Sequence, residues 1–349
     1  MSNPLAPFPW FGGKRSIASE VWQRFGDVVN FVEPFCGSAA MWLAAPNRPR
    51  VCTLNDVDGL LINFWRAVQA EPDSVARWAD WPVSETDLFP RHVWLVNQRG
   101  ELTARLQTDP TYYDAKAAGW WLWGACSWIG SGWASGEGPW SITDGQIVNI
   151  RGTGNGAKRQ LPHLGNAGQG VNRQLPHLGD AGQGVNRQLP HLGNAGRGAI
   201  ISAHLRDYMR EIADVLRVCR IACGSWERVC TPAVTHRHGL SAVFLDPPYG
   251  DGAFDYSAGG NTCKTLAANV KTWCVENGDN PLMRIALCGY DDVDMPDEWT
   301  VLRWKARKGY QTEDNDESDR ETIWFSPYCL TGQPTRADMQ PALFTEASL

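Results

Sequence analysis

A chain of 349 residues exceeds one minimal domain and suits one large domain with a second lobe or a big insertion. With 43% hydrophobic residues it can bury a substantial core, and its net charge of −6 gives no global basic signature, so any surface for nucleic acid must be local. The ten cysteines form no C-x-x-C pair, and several sit in apolar runs such as RIALCGY at 284–290. That argues against a zinc site and for small buried thiols in a reduced cytoplasm. Neither a signal peptide, a membrane span nor a metal site is expected.

Taken in chain order, NFVE at 30–33 predicts a short strand, followed by a PFCG turn. SAAMWLAA at 38–45 predicts a helix with Ser38 as its N-cap. VCTLND at 51–56 predicts a second strand ending in an acid, and DGLLINFWRAVQ at 58–69 spaces its apolar residues as a helix does. A β-α-β-α run of this kind implies a parallel sheet.

Residues 71–140 read as largely helical, with loops near Pro82, Pro90 and Pro110. Six tryptophans, Trp120, Trp121, Trp123, Trp128, Trp133 and Trp140, crowd one stretch. They suit either helix packing or stacking on bases. Residues 158–199 hold three tandem 14-residue units, each built on RQLPHLG. One Pro and three Gly per unit exclude a regular helix or central strand, and three short units are few for a solenoid. A recent duplication in a surface loop explains them, and points to a fast-changing genome such as a phage or prophage. The interval 141–199 is mildly basic, which suits a DNA backbone as well as plain solvation.

After residue 200 the α/β pattern returns. AHLRDYMREIADVLRV at 203–218 predicts an amphipathic helix, and CRIACGS, SAVFL, RIALCGY and RETIWFSP at 320–327 read as strands. Residues 328–349 form a polar tail.

Three motifs carry chemistry. Asp246-Pro247-Pro248-Tyr249 follows the apolar run AVFL, so it falls at the carboxyl edge of a parallel sheet, where such folds bind ligands. The prolines offer no N–H, which leaves nearby carbonyls as acceptors. An exocyclic amino group is a poor nucleophile because its lone pair is delocalised into the base. The Asp246 carboxylate and the Pro247 carbonyl can hold its two protons and free that pair, and Asp246 can then stabilise the positive charge that grows on nitrogen. Tyr249 offers a face for stacking the base. Glu33-Pro34-Phe35-Cys36-Gly37-Ser38 lies between the first strand and its helix, and Gly37 lets backbone approach a ligand. Asp56 stands 19 residues further, where an acid meets ribose hydroxyls. An NAD enzyme is the competing reading, and the lack of G-x-G-x-x-G counts against it. Trp10-Phe11-Gly12-Gly13-Lys14 near the start offers an indole to pack on a cofactor and an ammonium for a carboxylate.

In this order the motifs resemble the Dam-like (D12) class of N6-adenine DNA methyltransferases, over about residues 7–70 and 200–327. The resemblance implies an α/β, Rossmann-like fold that uses S-adenosylmethionine (AdoMet). It implies a catalytic domain at 1–70 and 200–327, with a DNA target-recognition region inserted at 71–199. It makes Asp246, Pro247, Pro248 and Tyr249 catalytic, and assigns cofactor binding to Trp10, Gly12, Gly13, Lys14, Glu33, Pro34, Phe35, Gly37, Ser38, Asn55, Asp56 and Asp246. Double-stranded DNA is the implied partner, no membrane is involved, and a cognate restriction enzyme is a further candidate. Two positions depart from the pattern: Ser225 stands where the family carries an Asp expected to contact the cofactor's adenine, and Ala39 where a second Gly is often seen. A flipped-out adenine is the expected substrate. The alternatives are cytosine N4, RNA adenine or a protein glutamine, or an inactive DNA-binding relative.

Overall fold

The computed structural model describes residues 3–10, 14–128, 133–135, 140–143, 146–149, 198–248, 263–291, 293–304 and 321–331. A 3₁₀ turn at Lys14–Ile17 leads into α1 (Ala18–Phe25), β1 (Asn30–Glu33), α2 (Ala40–Ala44), β2 (Val51–Asp56) and α3 (Gly59–Ala70). Three helices follow, α4 (Pro72–Ala79), α5 (Glu85–Thr108) and α6 (Ala115–Ser127), then a hairpin of β3 (Trp140–Thr143) and β4 (Gln146–Asn149). The α/β alternation resumes with α7 (Gly198–Leu216), β5 (Cys219–Cys223), β6 (Ser241–Leu245), α8 (Cys263–Asn277), β7 (Met283–Tyr290), β8 (Thr300–Arg303) and β9 (Glu321–Phe325).

Seven strands form one sheet in the order β5-β2-β1-β6-β7-β9-β8. The first five are parallel, and β9 runs antiparallel between β7 and β8. β1 and β6 are buried at every position, as continuous apolar strands covered on both faces must be. Alternate residues serve two layers. Phe31, Phe244, Ala286, Ile323 and Phe325 join the core beneath α1 to α7. Val32, Val243, Leu245, Ile285, Leu287 and Trp324 face Val270 and Cys274 of α8 and the turn at Trp226–Cys230. Full burial of each such side chain contributes about 1.5–3 kcal/mol. The expected α/β fold with a parallel sheet is thus present.

The helices after α3 pack on the same core. Both α6 and α7 rest on α3 and α4. Buried Arg66 of α3 ties that helix to β5 and to the connection between α5 and α6, donating to the carbonyls of Ile221 (2.8 Å), Asp109 (2.9 Å) and Tyr112 (3.3 Å). The aromatic stretch is largely core: Trp121 and Trp123 are buried, and Trp128 stacks on buried His92 with centroids 5.1 Å apart. Trp120 carries two cations, with Lys116 and Arg91 4.4 and 5.0 Å from its ring.

Three local expectations are corrected. The loop near Pro90 is interior to α5. Its missing N–H leaves the carbonyl of Thr86 without an i+4 partner, and both residues lie on the exposed face, where water is available. Ser38 is not the cap of α2: that position falls to Ala39, in the left-handed region at φ 49°, and no side chain of the cap residue bonds the helix. The Glu33 carboxyl at the end of the preceding strand is buried near the backbone N–H groups of Met41 and Trp42, which favour its charged form. α7 starts at Gly198, five residues before the predicted 203, taking in the last two residues of the third repeat. The rest of the repeats lies outside the described residues. α1, α8, β8 and the β3–β4 hairpin were not predicted. The start of the tail is docked, with Leu330 N–H donating to Arg24 O at 2.8 Å.

All ten cysteines are free thiols. Among the described residues no helix is long and apolar enough to cross a membrane.

Candidate active site

Strand order reverses between β1 and β6: from β1 the chain builds outward to β2 and β5, and from β6 outward to β7. An open α/β sheet splays its loops apart at such a point, leaving a crevice at the carboxyl ends of the strands. Both principal motifs fall there, Glu33–Ser38 directly after β1 and Asp246–Pro248 directly after β6.

The glycine loop is stitched to the end of β2. Gly37 adopts φ +45°, and a Cβ there would stand 2.5 Å from Nε1 of Trp10, so only glycine lets that indole lie against the loop. Gly37 N–H donates to Asp56 Oδ2 (3.1 Å), and its carbonyl accepts from Nε1 of buried Trp65 (2.9 Å). Asp56 Oδ1 accepts from Asp58 N–H at 3.0 Å. Asn55 spends its amide nitrogen on two carbonyls, Pro34 O and Gly224 O, each at 2.9 Å. Backbone bonds double these ties, from Cys36 N–H to Asn55 O (2.8 Å) and from Gly224 N–H to Asp56 O (2.9 Å). Ser38 is buried, and Phe35 stacks on Trp226 with centroids 6.3 Å apart.

Ser225, the departure from the family pattern, is exposed just beyond β5, between Gly224 and buried Trp226.

At the β6 end, Lys14 is only 4% exposed, and its Nζ lies 3.2 Å from Asp246 Oδ1 and 3.4 Å from Glu321 Oε2. Pro247 is buried and Pro248 half-buried. Glu321 escaped the sequence reading although RETIWFSP was recognised as a strand. Only the antiparallel direction of β9 brings its first residue to the carboxyl edge, and strand direction is not written in local sequence. Cys288, on neighbouring β7, is a further side-chain partner of Asp246. Gly12, Gly13 and Tyr249 lie outside the described residues. Among those described, no cluster of His, Cys, Asp or Glu is arranged to hold a metal.

Three carboxyls in this edge are pushed upward, chiefly by burial. Asp56 rises to about 6. Glu33 stands well above the ordinary range, with the negative fields of Asp246 and Asp56 adding to burial. Asp246 is also raised, burial and Glu321 outweighing the opposing pull of Lys14. A carboxyl whose folded value exceeds its unfolded one binds more protons folded, so its contribution to stability is complete below the unfolded value and is lost as pH rises through the folded one. For Asp56 the window runs from 3.8 to about 6. The urea midpoint should therefore rise between about pH 7.5 and about pH 5, by on the order of 1 kcal/mol from Asp56. The dependence should be shallower in Asp56→Asn. An unchanged slope in that variant would remove Asp56 from the account.

A seven-stranded sheet of this order, with its sixth strand in space reversed and its motifs at the switch point, defines a Rossmann-like methyltransferase fold. Residues 10–103 match the family described as D12 class N6 adenine-specific DNA methyltransferase. Over that segment, which includes the W-x-G-G-K opening, the glycine loop and Leu54–Asp56, the resemblance read from the motifs is borne out. A 68-residue stretch is 32% identical to a protein of Escherichia phage P1 named DNA N-6-adenine-methyltransferase; it covers 20% of this chain and 9% of that protein. The chain thus spans only a small part of the curated relative it matches.

Proposed function

We propose that the protein transfers the methyl group of AdoMet to N6 of an adenine flipped out of double-stranded DNA. The observation that carries this reading is the convergence of the glycine loop and Asp246-Pro247-Pro248 on the one switch point of the sheet. The family match over the first of these, and the name of the phage relative, support it.

The residues at the edge fit AdoMet. Gly37 has no side chain where the backbone must be approached, and Trp10 already lies against it. Asp56 is a buried carboxylate with two backbone donors, so ribose hydroxyls would add hydrogen bonds that burial has denied it. Bound there, AdoMet supplies an electrophilic methyl group on a positively charged sulfur. Trp10, the 33–38 loop, Asn55 and Asp56 would form its cradle, Asn55 by holding the loop. Asp246 and the carbonyl of Pro247 would accept the two amino protons of the base. Held so, the amino nitrogen would present its lone pair to the methyl group, the sulfur would keep the electrons of the bond that is broken, and the surplus proton would pass to solvent. Asp246 stabilises the passing positive charge. Tyr249 would stack on the extruded base, and the 71–199 region would read the sequence around it.

The test is product analysis. The full chain is incubated with AdoMet and unmethylated DNA, the DNA is digested to nucleosides, and these are identified by mass spectrometry. N6-methyladenine is expected. N4-methylcytosine would keep the fold and overturn the base; an absence of methylated nucleosides with no AdoMet binding would overturn the activity.

A further inference from the structure

A lysine ammonium is among the groups least tolerated away from water, and it persists there only where carboxylates hold it. Lys14 is such a group. It is buried, and two carboxylates that start far apart in the chain close on it, Asp246 from the end of β6 and Glu321 from the beginning of β9. Neither contact is needed to form the sheet, whose pairing is complete in the backbone.

We propose that Lys14 and Glu321 are positioning residues that hold the Asp246 carboxylate in its working orientation and charge state. This rests on the methyl-transfer reading above. A carboxylate can accept about four hydrogen bonds, so engagement at Oδ1 by Lys14 fixes the plane of the group without consuming it. Lys14 favours the ionised form of Asp246, opposing burial and the charge of Glu321 from β9; the thiol of Cys288 from β7 acts in the same direction as Lys14, and Asp246 in turn raises Glu33 of β1. Glu321 balances this action. By sharing the ammonium it prevents Lys14 from neutralising Asp246 outright, so the carboxylate keeps the negative charge that the developing positive nitrogen requires. The sequence reading sends Lys14 to a cofactor carboxylate; here two carboxylates of the chain itself engage it.

The arrangement predicts opposite responses from two single substitutions. In the full chain labelled with carbon-13 at aspartate carboxyls, the Asp246 resonance is identified by its loss in Asp246→Asn and titrated. Lys14→Met should raise its midpoint by about one pH unit or more, and Glu321→Gln should lower it. The acid limb of kcat/KM should move in the same two directions, and Lys14→Arg should restore the limb toward the wild-type position. A merely structural role would reduce stability and rate without splitting the two directions. Glu321→Gln removes one of two like charges at nearly constant shape, so it keeps the test decisive even if Lys14→Met fails to fold. A midpoint unmoved by Glu321→Gln, or moved upward, overturns the proposal. The absence of N6-methyladenine from the wild-type reaction overturns the functional reading instead, and the carboxyl titration does not depend on it.

Discussion

Asp246→Asn is expected to lower the rate of N6-methyladenine formation by about 10²–10³-fold while AdoMet affinity stays within a few-fold of wild type. The substitution keeps the side chain's size and removes its charge. It deletes the acceptor that stabilises positive charge on the amino nitrogen and leaves the glycine loop, Asp56 and Trp10 in place. The fold should tolerate the change, because Lys14 keeps Glu321 as a partner at 3.4 Å. Single-turnover methylation with isotope-labelled AdoMet, beside equilibrium binding of AdoMet, separates the two effects. A variant that binds cofactor normally and methylates at the wild-type rate would show that Asp246 does not activate the base. A parallel loss of binding and rate would move Asp246 from the chemistry to the cofactor site.

Asn55→Leu should be costly for a different reason. The Asn55 amide joins two loops, the one after β1 through Pro34 O and the one after β5 through Gly224 O. A leucine of similar volume offers neither donor, so two buried carbonyls lose their partner. Each orphaned group costs about 1–3 kcal/mol, a large fraction of the stability of an ordinary domain. Urea denaturation should show the lower midpoint. AdoMet affinity should fall further than global stability explains, because the backbone that approaches the cofactor is the one released. If the midpoint drops and affinity in the remaining folded protein is unchanged, Asn55 is a fold residue only.

The sequence disclosed most of the central sheet because its inner strands are buried on both faces and carry short apolar runs, as SAVFL of β6 and IALC of β7 do. NFVE, VCTLND, CRIAC, SAVFL and RIALCGY all became strands, and the order of the motifs along the chain put Asp246 and the glycine loop at one edge. Other elements carried weaker signals. β8 lies at the sheet edge with three of its four residues exposed, so it lacks the apolar run that betrays a strand. α8 fully buries only a narrow strip, Val270 and Cys274, with Leu266 and Trp273 partly buried beside them. Pro90 suggested a break because proline usually ends a helix, yet an exposed carbonyl one turn earlier made it tolerable. At the site, residue identities were legible and partners were not. Glu33 reads as part of a loop motif, whereas it closes β1 with its carboxyl buried in the negative fields of Asp246 and Asp56. Lys14 reads as an ammonium for a cofactor carboxylate, whereas it is buried between two acids of the chain itself. Both facts depend on contacts between segments distant in sequence.

The placement of α6 and α7 bears on the tandem units between them. The two helices rest on the same pair, α3 and α4, so the chain leaves and rejoins one anchored platform around the 128–197 interval. The ends of that interval stay fixed however many units are copied into it. Lengthening a connection between fixed ends is cheap in chain entropy, about 0.6 kcal/mol for each doubling. On chain entropy alone, a 14-residue unit can therefore be added or deleted at little cost. A change in the number of units leaves unaltered the stretches of sequence that form the seven-stranded sheet and its carboxyl edge.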